Sequence, residues 1–439
     1  MGDNSHILII TTGLTGMLHA SFELVSRLEK AGHRLTYACP HNVRERVEVQ
    51  GFTYLQLPPV NFNPSPQLPD YQYKWQRATH RIVNFRQLQK TAIQQLGMDE
   101  FSTILRQVNP DKILLDMELH EHIITAVSMD FQVTLLSQWF SVWEREGLPP
   151  LWSDLMPDDC VNVKKIWQKE RKKRRWGNWK QRLLSGFTDR RSVLCAYAKT
   201  VNFPLQELVS YQWPEPFGYR TLPVWSMTHW ALEFPHEPRP NLRYIGGMVY
   251  AQRKDIRTKD AINQQLINIF NQKKQTGHRL IYCSISTMKK GGSTFLQSII
   301  EAVGERQDWI LIVGMGGQST KNLDSSIPSN VHIFDWIPQL DVLQYADCSI
   351  NHGGIHTINE CIYFRVPMLV YSGGHHDQNG CAARVAYHGI GIRGNKNEDD
   401  KSTIQQHIER VLTEASFKQK INDIYQQYQA NKTNSILLK

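Results

Sequence analysis

Residues 335–378 read DWIPQLDVLQYADCSINHGGIHTINECIYFRVPMLVYSGGHHDQ. The stretch follows an apolar run, Val331–Phe334, and contains two more, Cys348–Asn351 and Met368–Tyr371. Helical segments lie between them, near Leu340–Tyr345 and from about Ile355. Short β-rich runs alternating with helices imply a parallel sheet with crossover helices. Such sheets bind ligands at the C-terminal ends of their strands. Trp336 and Gln339 follow the first run, where an indole can stack on a nucleobase and an amide can bond the nucleoside. Asn351-His352-Gly353-Gly354 closes the second run and enters a helix. Two glycines let the backbone approach a ligand, and a helix N-terminus favours an anion. His352 and Thr357 add donors for a diphosphate, and His356 is a further candidate. Glu360, eight residues after His352, suits ribose hydroxyls. Asp377-Gln378 ends the next strand–loop unit and suits the hydroxyls of a sugar. Singly, Trp336 also fits a core aromatic and His352 a capping residue. In this order, each at a strand end, the residues fit a nucleoside diphosphate sugar from base to sugar.

The same alternation extends outward. Leu280–Ser284, Phe295–Val303 and Trp309–Val313 supply strand, helix and strand of the same unit. Before them, the proline-rich stretch from Phe234 to Pro240 opens an expected interdomain linker at 236–258. Further upstream, Ile7–Thr11, Leu35–Cys39, Lys112–Leu115 and Val133–Ser137 read as strands. Helical spacing carries Phe22, Leu24, Val25 and Leu28 toward a stop at Gly32. The expected fold class is α/β, with two Rossmann-like doubly wound domains, residues 1–235 and 259–439, facing a central cleft. A basic insertion occupies about 160–190, and a polar helical tail ends the second domain.

A chain of 439 residues exceeds one compact core and fits two domains. Its 41% hydrophobic and 21% charged content is that of a folded globular protein. No apolar run approaches the roughly 20 residues that span a bilayer. The start, MGDNSH, lacks the charged and apolar regions of a secretory signal. The seven cysteines are scattered, which suggests reduced core residues of a cytoplasmic protein rather than a disulfide or zinc framework.

Charge is concentrated in one place. Lys164–Arg182 holds ten Lys/Arg against one acid, Glu170, as much net charge as the whole chain's +9. That argues for one local basic surface and no nucleic-acid partner. Trp167, Trp176 and Trp179 interleave with the charges, and Leu183 and Phe187 continue the stripe at helical spacing. Cationic residues with interfacial tryptophans suit an anionic membrane surface; a solvated face with packing tryptophans is the plainer alternative.

The 335–378 stretch resembles the donor-binding box of family 1 glycosyltransferases, which share the GT-B fold of two Rossmann-like domains. The matching pieces are Trp336, Gln339, His352-Gly353-Gly354, Thr357, Glu360, Val366-Pro367 and Asp377-Gln378. Tyr282–Thr287 is similar to the family's first C-domain strand and phosphate-facing loop, which adds Thr287 as a donor-binding residue. The resemblance implies an inverting hexosyltransferase that takes a UDP-sugar as co-substrate, with no other cofactor and no metal. The implied acceptor is a hydroxyl on an apolar small molecule or lipid. It also implies a base on the first loop, a histidine backed by an aspartate. The family's histidine position falls at Met17, with His19 two residues on, and Asp116 matches the aspartate. The expectation is therefore His19 as base and Asp116 as partner. His120-Glu121-His122, close behind, reads as loop or cleft wall. The alternative is a catalytically silent nucleotide-sugar-binding or partner-activating homologue, because Met17 and Ser286 depart from the pattern.

Overall fold

The computed structural model describes residues 4–60, 73–157, 159, 162–210, 212, 215–284, 292–317, 327–375 and 377–433. Seven parallel strands form the first sheet. Their spatial order is Tyr54–Gln56, Arg34–Cys39, His6–Ile10, Lys112–Asp116, Val133–Ser137, Val224–Ser226 and Leu242–Tyr244. Six parallel strands form the second, in the order Val331–Phe334, Trp309–Gly314, Arg279–Ser284, Cys348–Asn351, Met368–Val370 and Gly391–Arg393. HILII and WILIVG are buried along their whole length, as expected of strands covered by helices on both faces.

The structure moves one expected boundary. The stretch read as a linker begins inside the first sheet, because Leu242–Tyr244 pairs with Val224–Ser226 as its edge strand. The C-terminal helix Ala415–Thr433 is no free tail either. Tyr428 stacks on His229 of the first unit at 4.2 Å between ring centroids, and its hydroxyl donates to Asn359 Oδ1 at 2.9 Å. His120-Glu121-His122 opens the helix His120–Ser128 rather than a loop, and Glu121 lines a cavity wall.

The two units close on each other through polar and charged contacts. Arg384, from the helix Gln378–Tyr387, donates to Glu233 through Nε at 2.9 Å and again through Nη2. Glu233 Oε2 also accepts from Ser141 N and Tyr244 Oη, so the carboxylate is satisfied while buried. Phe140 and Phe234 lie against the guanidinium, at 4.6 and 4.2 Å to ring centroid. Gly380 N donates to Leu151 O at 2.9 Å, an approach with no room for a Cβ at Gly380.

Candidate donor site in the cleft

Each sheet reverses its strand order once. In the first, the reversal lies between His6–Ile10 and Lys112–Asp116; in the second, between Arg279–Ser284 and Cys348–Asn351. A doubly wound sheet opens a crevice at such a point, beyond the carboxyl ends of its strands. Here the two crevices face each other across a cavity of about 640 Å³. The first unit contributes Gly16, His19, Glu118 and Trp139; the second contributes Trp336, His352, Glu360 and Asp377.

The structure gathers nearly all of the expected donor residues on one wall. Trp336, Gln339, His352, Gly354, His356, Thr357, Glu360, Asp377 and Gln378 line the cavity. Gly353 lies directly beneath, with φ +83, and a Cβ there would meet Gln378 O at 3.0 Å. Both the left-handed backbone and the close approach require glycine. Gly354 caps the helix Ile355–Phe364, whose N-terminus faces the cavity, so its free N–H groups and dipole suit a diphosphate. Thr287 lies outside the described residues.

Several of these side chains already have partners. Trp336 Nε1 donates to Asp255 at 2.9 Å, and the Arg257 guanidinium lies over its ring at 4.5 Å. Glu360 accepts from Arg253 at 2.8 Å and from Gln339, and Gln339 in turn accepts from Tyr282 Oη at 3.1 Å. Gln378 Oε1 accepts from Gly373 N. His356 lines the cavity and also meets the first unit. It is half-buried against the other unit, with Nε2 3.4 Å from Gln138 Oε1, and a Cβ on Gly16 would lie 2.5 Å from its ring. Burial and then Arg253 lower it to about 4, so it is a neutral contact between the two walls. The residues missed from sequence are Arg253, Asp255 and Arg257. Their only signal was a mixed-charge run inside an expected linker.

A second cavity, about 530 Å³, shares Trp139 and Asp377 with the first. Trp139, Val142, Leu151 and Trp152 make its apolar side, and the basic helix Val163–Leu184 makes the other through residues such as Arg174 and Asn178. A third, about 570 Å³, meets the donor cavity at Glu118.

Comparison with known proteins bears on this geometry directly. Residues 219–429 match the family model described as UDP-glucoronosyl and UDP-glucosyl transferase. The chain is 25% identical to mouse UDP-glucuronosyltransferase 2A2 over 206 residues, 45% of this chain and 35% of that protein. It is 27% identical to the zeaxanthin glucosyltransferase of Pantoea ananas over 145 residues, 33% of each. The match thus spans about a third of these relatives' own length. Among solved structures, the glycotransferase of kitacinnamycin superposes with a TM-score of 0.69 at 17% identity, covering 98% of this chain and 96% of that one. The calicheamicin glycosyltransferase does so at 0.60 and 16%, covering 98% and 95%. Residues 219–429 are thus similar to family 1 glycosyltransferases. The chain's two facing α/β domains are the GT-B fold.

The family 1 frame sharpens one departure. The expected His19–Asp116 pair is not formed. Asp116 is buried, with Oδ2 accepting from Thr12 N at 3.3 Å and Thr12 Oγ1 at 2.9 Å, and Oδ1 accepting from Glu118 N at 3.1 Å. His19 reaches the cavity, but its Nε2 lies 3.3 Å from Arg46 Nη2. Burial, then Arg253 and Arg46, hold its pKa well below the usual histidine range. Met17 is fully buried. The physical reason is local. Asp116 is spent on holding the first loop, and His19 stands among arginines that oppose an imidazolium.

Proposed function

We propose that this chain transfers a hexosyl group, with inversion, from a UDP-sugar to a hydroxyl of an apolar small molecule or lipid. The carrying observation is the pair of facing switch points. One wall bears stacking, phosphate and sugar grips in order, and cavities of about 530 and 570 Å³ open beside it on the first unit. The Trp336 indole takes the uracil, and the Gly354-capped helix with His352 and Thr357 takes the diphosphate. Asp377 and Gln378 take the sugar. Glu360 receives the ribose once Arg253 and Gln339 share it. Trp139 and Trp152 offer flat apolar walls to an acceptor body. The relative named for zeaxanthin is consistent with an acceptor of that kind.

The basic helix extends the proposal to a membrane surface. Trp176 and Trp179 stack at 5.2 Å and are 65% and 53% exposed. By helical spacing, Lys165, Lys169, Lys172, Lys180 and Leu183 share that face, while Arg174, Asn178 and Gln181 turn to the cavity. A face of lysines and tryptophans suits anionic lipid, and would bring the cavity to where a lipid-soluble acceptor resides.

Purified protein offered UDP-glucose, UDP-glucuronate and TDP-glucose with a phenolic probe, 4-methylumbelliferone, tests the transfer. The expected result is UDP release with a β-linked product from an α-linked donor. Retention of configuration, or TDP-sugar preferred over both UDP-sugars, would overturn it.

A further inference from the structure

Inverting transfer needs a group that accepts the acceptor's proton at the junction of donor and acceptor spaces. The first loop supplies none, because Met17 is buried and the Nε2 lone pair of His19 faces Arg46. Among the other cavity acids, Glu360 is paired with Arg253, Asp255 holds the Trp336 indole, and Asp377 accepts from Cys381 Sγ at 3.5 Å. Glu118 stands apart from these. It follows the Lys112–Asp116 strand at the first sheet's switch point. It is the residue that the donor cavity shares with the third cavity, whose walls include Thr12, His41 and Arg190. Its backbone N–H is held by Asp116 Oδ1 at 3.1 Å, while its carboxylate makes no hydrogen bond or ion pair among the described residues.

We infer that Glu118 is the general base of this enzyme, and that Asp116 acts only by positioning the turn that carries it. The inference rests on the transferase reading above. In the step, a Glu118 carboxylate oxygen takes the hydroxyl proton of the acceptor. The acceptor oxygen's electron pair forms the new bond to the anomeric carbon. The bond from that carbon to the diphosphate oxygen breaks, and its pair leaves with UDP. Glu118 then returns its proton to water. The groups around Glu118 are Asp116 on its strand, Glu121 on the next helix, Arg190, His41 and Glu215, with His356 and Asp377 across the cleft. Burial, and then the Asp116 carboxylate, push Glu118 up to about 7, against an opposing pull from Arg190. A carboxylate so raised is a stronger base than an ordinary one, and its basicity suits neutral pH.

The test compares wild type, Glu118→Gln and Glu118→Asp with UDP-glucose and 4-methylumbelliferone. Glu118→Gln is expected to lower kcat between about 100- and 10,000-fold, with UDP binding unchanged by thermal shift. Glu118→Asp should recover part of the rate. The wild-type rate should rise with pH through an inflection near neutrality, since only the ionised carboxylate accepts a proton. Infrared difference titration of wild type against Glu118→Gln should show one carboxyl ionising near neutrality. Retention of kcat within about threefold in Glu118→Gln would overturn the inference. Absence of turnover in wild type would sink the transferase reading itself, and Glu118 would then be judged by the infrared titration. A carboxyl ionising in the ordinary glutamate range would refute its role.

Discussion

Trp336 lies half-buried between Asp255, which takes its indole N–H, and Arg257, which covers one ring face. The indole is thus fixed before any ligand arrives, and a base can stack on the face away from Arg257. Stacking of this kind contributes about 1–3 kcal/mol per base. Trp336→Ala is therefore expected to weaken UDP from about fivefold to about 150-fold, read by calorimetry. A change below twofold would remove Trp336 from the donor site. The neighbouring His352 and Glu360 were legible in the sequence because each lies at a fixed offset from a strand end. The Arg253 that holds Glu360 was not, because it stands 107 residues away in sequence.

At the scale of elements, two helices carry distinct physics. The basic helix Val163–Leu184 starts at Asn162, whose side chain accepts from Lys165 N at 3.0 Å. It anchors through Trp167, which donates to Leu148 O at 2.8 Å, and leaves Trp176 and Trp179 to solvent. The sequence stripe was legible there, although Phe187 turns inward onto Phe85. Each lysine near an anionic surface is worth about 1 kcal/mol. The triple change Lys169→Gln, Lys172→Gln, Lys180→Gln should therefore cut flotation with phosphatidylglycerol vesicles at least about tenfold and leave zwitterionic vesicles unaffected. Equal flotation of both proteins would remove the membrane proposal.

The helix His120–Ser128 holds His120 and His122 fully buried, and burial lowers both to about 3. Neither nitrogen of His122 has a hydrogen-bond partner among the described residues, and its ring meets the Phe101 ring at 4.6 Å. An unfolded histidine titrates near 6.5, so below that the unfolded chain binds the extra protons. Stability is intact above about pH 6.5 and falls as pH drops toward 3. His122→Leu should flatten this fall. The measurement is the thermal midpoint at pH 7 and pH 5 for both proteins, and an equal drop in the two would place the acid sensitivity elsewhere.

For the molecule as a whole, the cleft is set by contacts between the two units, chiefly Arg384 with Glu233. Their side chains are 2% and 0% exposed, so each charge depends on the other. Removing one partner of such a pair costs about 3–5 kcal/mol. Glu233→Gln should lower stability by about that much in denaturant and weaken UDP-sugar binding, because the walls lose their register. Unchanged stability with unchanged binding would show that the cleft is held elsewhere. Of the helices Lys74–Val83, Phe85–Gln95 and Met98–Val108, the last two bury Leu88, Ala92, Phe101 and Leu105 in the core, and none of the three lines the cavity among the described residues.

The sequence alone brought the residues of the proposed donor wall together, since its strand runs, glycine turn and helix start are contiguous and strand-end loops must face the ligand side of a parallel sheet. It also determined the two-sheet α/β architecture, through fully apolar strands at regular spacing. Only the tertiary structure decided the opposite wall. Which strand ends adjoin at each switch point, which arginines surround His19, and which carboxylate is left unpaired between the cavities all depend on contacts between distant segments. The family's aspartate position was legible at Asp116, but its carboxylate turns to Thr12 and to the backbone of Glu118. That turning sets Glu118 between the cavities, and no local pattern encodes it.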